Sequence, residues 1–122
     1  MRAMKHLPFV ILCLCAAVEG NAELALKEIR MAAKYNPNDS KIYNEWGTIY
    51  TDMKQYDKAI ELYGKALLLD PKLAEAHEYI GEAYLEIGNI AEAKQHLTIL
   101  QTLDPKLAEE LRAEIARYNK KS

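Results

Sequence analysis

Two stretches of this chain repeat one pattern at an offset of 34 residues, Ser40 to Pro71 and Ala74 to Pro105. In register, Tyr43 falls on His77, Trp46-Gly47 on Ile80-Gly81, and Tyr50 on Tyr84. Ala59 falls on Ala93, Tyr63 on Leu97, Ala66 on Leu100, and Asp70-Pro71 on Asp104-Pro105. A fixed period of this kind constrains a fold strongly. Each copy is a small unit that cannot bury its apolar face by itself, so the copies must stack.

The unit reads as a pair of helices. Gly47 and Gly81 sit where glycine costs about 1 kcal/mol relative to alanine, which implies close approach of a second helix. Ala59 and Ala93 are the expected small partners, with Tyr50 and Tyr84 covering the contact. Asp-Pro is expected to close each copy and open the next helix, the aspartate as cap and the proline in the first turn. Gly88-Asn89 marks the turn inside the second copy, and its counterpart Lys54-Gln55 lacks glycine. The expected helices span 40–53, 56–69, 74–87 and 90–103, with no strand pattern.

Half of a further copy lies upstream. Ala25, Ile29, Ala32 and Asn36-Pro37 occupy second-helix positions. The first half, 6–19, reads HLPFVILCLCAAVE, with Cys13 at the glycine position and Ala16 at the tyrosine position. It carries no charge from Leu7 to Val18, whereas a solenoid helix needs a polar face. Residues 1–22 therefore read as a secretory signal or as an apolar N-terminal helix. Arg2 and Lys5 precede the apolar run, which is too short to span a bilayer, and Gly20-Asn21-Ala22 supplies small residues for cleavage before Glu23. Cleavage would partly uncover Ala25 and Ile29 and invite self-association.

Downstream, Asp104-Pro105 opens one more helix, to about Tyr118. Leu107, Leu111, Ile115 and Tyr118 form a single apolar stripe on it. The other face carries Lys106, Glu109, Glu110, Arg112, Glu114 and Arg117. A polar outer face of this kind suits the terminal element of a repeat array. Residues 119–122 are expected to fray.

The period and the signature residues Tyr43, Trp46, Gly47, Tyr50, Ala59, Tyr63, Ala66, Pro71, Gly81, Tyr84, Ala93 and Pro105 resemble the tetratricopeptide repeat (TPR). The resemblance implies an all-α, right-handed helix-turn-helix solenoid. Its parts would be a half or degenerate repeat at 6–39, repeats at 40–73 and 74–107, and a capping helix at 105–118, with 23–119 as the TPR domain. The layout also resembles small exported TPR proteins of proteobacteria. That group often carries a cysteine pair near the last turn, which Asp104 to Glu110 lacks.

The resemblance further implies a concave groove lined by the first helix of each repeat. Carried over by position, the groove residues are Lys41, Asn44, Thr48, Thr51 and Asp52, then Glu75, Glu78, Glu82, Leu85 and Glu86. The four glutamates share one helix face and suit a basic segment of a protein partner, with Tyr79 as a candidate anchor. Lys41 and Asn44 by themselves do not make the carboxylate clamp of some TPR domains.

The 122 residues suit one domain, with half of them hydrophobic and a net charge of −2. Cleavage would bring the charge to about −3, and this balance disfavours nucleic acid, which wants a basic stripe. Both cysteines, Cys13 and Cys15, lie in the apolar run, so the remainder of the chain is indifferent to redox compartment. His6, His77 and His96 are scattered without zinc spacing, and His77 reads as a packing residue. No catalytic residue, metal or cofactor is expected. The functional expectation is a non-enzymatic scaffold, periplasmic or secreted, that docks a protein partner through the groove or the apolar N-terminal end. The alternatives are a subunit of a membrane-associated assembly retaining 7–18 as a hydrophobic foot, or a cytoplasmic protein if 1–22 is a true repeat helix.

Overall fold

The structure is a computed structural model that describes residues 21–121. The expectations for residues 1–20 lie outside the described residues. Six helices follow in order: α1 (Ala22–Tyr35), α2 (Ser40–Asp52), α3 (Tyr56–Leu69), α4 (Ala74–Glu86), α5 (Ile90–Leu103) and α6 (Pro105–Lys121). There is no strand among the described residues, and none of these helices is long and apolar enough to cross a membrane. The expected second-helix spans 56–69 and 90–103 are met, while α2 and α4 each stop one residue short of the expected end. The C-terminal helix continues through Lys121 and does not fray at 119, with Lys120 and Lys121 in its last turn favouring the helix dipole.

Side chains set most of the helix starts. The carboxamide oxygen of Asn21 accepts from the Leu24 N–H, and that of Asn89 accepts from the Glu92 N–H. Asp39 accepts from the Lys41 N–H, and Asp104 from those of Lys106 and Leu107. Asp104-Pro105 thus opens α6 as expected. Asp70-Pro71 does not open α4, which begins three residues later. The Asp70 N–H still closes α3 on the Ala66 carbonyl, and its carboxylate turns back onto the Lys72 N–H. Pro71 therefore sits in the turn, and Leu73 is the cap residue, with no side-chain bond.

Consecutive helices pack against one another, and α4 also packs against α6. The shared interior alternates between layers. Ala25, Leu26 and Ile29 of α1 join Ile49, Tyr50, Ala59, Tyr63, Ile80 and Ala83 in one cluster. Leu85, Ala93 and Leu100 join Ala108, Leu111 and Ile115 of α6 in another. Ala25 and Ile29 are thus buried in company with α2, and the open apolar residues of α1 are Leu24, Met31 and Tyr35.

The helical glycines make room for different partners than the alanines expected from the sequence. A Cβ on Gly47 would stand 2.6 Å from the Tyr63 ring, and one on Gly81 would stand 2.8 Å from Leu111. Ala59 and Ala93 are fully buried nonetheless. In the second copy the large side chain opposite the glycine comes from α6, because Leu97 replaces Tyr63. The turn glycine behaves as expected: Gly88 has φ +83°, and Lys54, its counterpart, is held at φ 61°.

Candidate functional site

The first helices α2, α4 and α6 make direct contacts in sequence order, which forms a groove along one side of the array. A cavity of about 450 Å³ opens there. Thr48, Thr51, Tyr56 and Tyr63 line it from the first repeat, Tyr79, Glu82, Leu85 and Glu86 from α4, and Glu114, Arg117, Tyr118 and Lys121 from α6. The floor is aromatic. The rings of Tyr63 and Tyr79 lie 5.9 Å apart, and the Tyr63 hydroxyl shares hydrogen bonds with Thr51 at 3.0 Å and Thr48 at 3.4 Å. Those threonines already bond backward to the Gly47 and Asn44 carbonyls, so the network fixes the ring in place.

Of the groove residues expected from the sequence, Thr48, Thr51, Tyr79, Glu82, Leu85 and Glu86 line the cavity. Lys41, Asn44, Asp52, Glu75 and Glu78 do not. Lys41 is exposed in the first turn of α2, and Asp52 and Glu75 are also exposed. Asn44 is buried, with its carboxamide oxygen lacking a hydrogen-bond partner. Glu78 is only 7% exposed, because α6 covers it. Lining residues that the positional reading missed are Tyr56 and Tyr63 of α3 and the side chains of α6. One more step of the offset would have found those of α6: it sets Leu111 on His77 and Tyr118 on Tyr84, making α6 the first helix of a third copy.

The acidic groups shape the electrostatics of the groove. Burial, then Glu82 and Glu110, holds the Glu78 carboxyl up to about 7. Burial, then Glu114, Glu110 and Glu86, lifts Glu82 to about 7 as well. Burial and Glu75 raise Glu45 on α2. Burial and the surrounding carboxylates push the Tyr79 phenol to about 12, so it is a neutral donor. The arginines of α6 are engaged along their own helix, Arg112 with Glu109 and Arg117 with Glu114.

The opposite side of α4 corrects the reading of scattered histidines. His77 and His96 meet at an Nδ1···Nδ1 distance of 3.0 Å, and His77 Nε2 lies 2.8 Å from the Pro71 carbonyl oxygen. A carbonyl only accepts, so Nε2 of His77 carries a proton, and between the two Nδ1 atoms one ring donates and the other accepts. Burial and His77 pull His96 down to about 4. The Tyr43 hydroxyl makes the same bond to the Pro37 carbonyl at 2.9 Å, one period upstream. His77 therefore does the job of a repeat tyrosine. No group of three or more metal-ligating side chains occurs among the described residues.

Comparison with known proteins bears on this arrangement. A family described as TPR repeat matches residues 47–88, and one described as tetratricopeptide repeat matches 75–106. The chain is a tetratricopeptide repeat protein. It is 30% identical over 92 residues to the peroxisomal targeting signal receptor of Candida glabrata, which covers 74% of this chain and 16% of the receptor. It is 38% identical over 63 residues to the uncharacterized protein ycf37 of Guillardia theta, covering 51% of this chain and 35% of that one. The repeat array thus spans a minor part of both relatives.

Solved structures extend the likeness of fold. The type III secretion translocator chaperone SycD of Yersinia enterocolitica superposes with a TM-score of 0.77 at 24% identity, covering 93% of this chain and 82% of that one. SycD in complex with a peptide of the translocator YopD gives 0.78 at 22%, covering 99% and 95%. The second TPR domain of human RPAP3 with the HSP70 peptide SGPTIEEVD gives 0.75 at 23%, covering 85% and 88%. At these identities the likeness is one of fold, and it makes this TPR protein an all-α solenoid throughout its described length.

Proposed function

We propose that this chain is a protein-interaction adaptor that holds a basic segment of a partner protein in the groove between α2, α4 and α6. One observation carries the reading: the cavity of about 450 Å³ combines an aromatic floor with the carboxyls of Glu82 and Glu86, while Glu114 is paired with Arg117 and Lys121 stands at the α6 end. Rigid tyrosines supply contact area at low entropic cost. Carboxylates at the rim steer a lysine- or arginine-bearing segment into place. Neighbours of the same fold are seen with peptides of partner proteins, among them an acidic HSP70 peptide on RPAP3 and a YopD peptide on SycD. The charge on this groove favours a ligand of the opposite sign to the HSP70 peptide.

Export belongs to the same proposal. Arg2, Lys5, the apolar Leu7–Val18 run and the small residues Gly20 and Ala22 support a cleaved signal and a periplasmic or secreted adaptor. Cleavage before Glu23 would remove Asn21, the cap of α1, at a cost of about 1 kcal/mol.

A backbone NMR titration of the 23–122 chain with a lysine- and arginine-rich peptide tests the site. The expected result is that amide shifts cluster at Tyr63, Tyr79, Glu82 and Tyr118, and that Tyr79→Ala speeds dissociation. Shifts confined to the outer helices α3 and α5, or to the Leu24–Met31–Tyr35 edge of α1, would move the binding surface there.

A further inference from the structure

The contact between α4 and α6 places like charges face to face. Leu111 seats in the space left by Gly81, where an added Cβ would meet it at 2.8 Å. The two carboxyls flanking that glycine on α4, Glu78 and Glu82, meet the two flanking Leu111 on α6, Glu110 and Glu114. Glu78 and Glu110 face each other across the interface, and two carboxyl groups can share a hydrogen bond there only if one of them holds a proton.

Arg117 pairs with Glu114, and among the described residues no ion pair reaches Glu78, Glu82 or Glu110. The charged or titratable groups facing it are Glu75 and Glu86 on α4, Glu45 on α2, Arg117, Tyr118 and Lys121 on α6, and the phenols of Tyr63 and Tyr79. Asp52 adds to the negative field at Tyr63. On α6, Arg112 and Arg117 are bound along their own helix to Glu109 and Glu114. The His77–His96 pair belongs to the contact between α4 and α5 and lies apart from this interface.

We infer that α6 is a proton-sensitive wall of the groove, clamped onto α4 while the carboxyls between them share protons and loosened as they ionise. The direction follows from the raised values. Glu78 and Glu82 rise from 4.5 to about 7 in the folded chain, so their contribution is fully present below about 4.5. It is lost as pH climbs through about 7. Glu114, Arg117, Tyr118 and Lys121 all line the cavity from α6. Loosening of α6 on the alkaline side of neutrality therefore widens the groove, whatever ligand it takes.

Native-state amide exchange of the 23–122 chain at about pH 6 and pH 8, expressed as protection factors, tests this. The expected result is that protection of the Leu111 and Ile115 amides drops by about tenfold or more at the higher pH, since one unit of carboxyl shift corresponds to a tenfold change. Protection of α2 and α3 should stay level. In Glu78→Gln/Glu82→Gln, and separately in Glu110→Gln, α6 should remain protected at both values. Equal α6 protection in the unmodified chain at both pH values overturns the inference, as does pH-dependent loss that survives in both glutamine variants.

Discussion

The two full repeats are built to one plan and filled with different chemistry. In the first, Tyr43 bonds the Pro37 carbonyl and Lys65 lies 4.7 Å over its ring, while Tyr63 fills the space at Gly47 and bonds two threonines. In the second, His77 bonds the Pro71 carbonyl and its neighbour is His96, while the space at Gly81 waits for α6. Along the groove, Lys41, Asn44, Thr48 and Asp52 of the first repeat become Glu75, Glu78, Glu82 and Glu86 in the second. The first repeat is internally closed and its charges nearly balance. The second depends on a neighbouring helix and carries the titratable groups. Packing positions hold the backbone plan constant, and the exposed positions between them are free to diverge toward a ligand.

The largest effect should separate the two glycines. Gly47→Val is expected to cost roughly 1–3 kcal/mol, because the Tyr63 ring it meets is buried and pinned by hydrogen bonds. Gly81→Ala meets only the tip of Leu111 on a terminal helix, and the gain in helix propensity of about 1 kcal/mol offsets much of the clash. Urea unfolding of both variants checks this. Equal losses would mean that the two copies are packed alike after all.

The histidine pair should make the second repeat acid-sensitive. His96 falls from 6.5 to about 4 in the folded chain, so its neutral form stabilises the fold fully above about 6.5. That contribution is lost as pH falls toward 4. The carboxyls facing α6 act in the opposite sense over an overlapping range, so a global melt mixes the two. His77→Tyr/His96→Leu gives the second repeat the residues of the first, which has Tyr43 and Leu62 at these places. Amide exchange of α5 in this variant should show no loss of protection between about pH 7 and pH 5, while the unmodified chain should show one.

The smallest effect concerns the turns inside the repeats. Lys54 is held at φ 61° where the second copy has Gly88 at φ +83°. Lys54→Gly should stabilise by about 0.5–1 kcal/mol, the left-handed cost being partly cancelled by the entropy glycine loses on folding. A shift in the urea midpoint with unchanged slope measures it.

Much of this was readable in advance because it is periodic. The helix pairs and the turn at Gly88 followed from residues that recur with a period of 34. The misreadings share one physical cause, which is that spacing along the chain does not say which side chain enters a gap. Gly47 and Ala59 are both small and suggested each other, yet the gap belongs to Tyr63. His77 and His96 are nineteen residues apart and meet because α4 and α5 are antiparallel. Glu78 occupies a groove position in the repeat, but α6 covers it, and a positional rule drawn from one repeat contains no cap.

The central claim is that the acidic second repeat, and not the nearly charge-balanced first, selects the partner. The most direct measurement is the affinity of a lysine- and arginine-rich peptide for the 23–122 chain and for Glu75→Gln/Glu78→Gln/Glu82→Gln/Glu86→Gln. Both should be measured at low ionic strength and near 0.15 M salt, where exposed charges are screened beyond about 8 Å. The account predicts that salt weakens binding to the unmodified chain and that the glutamine variant binds at least about tenfold more weakly. Its slower association should account for most of that loss. Equal affinity for the two proteins, with no response to salt, would contradict it.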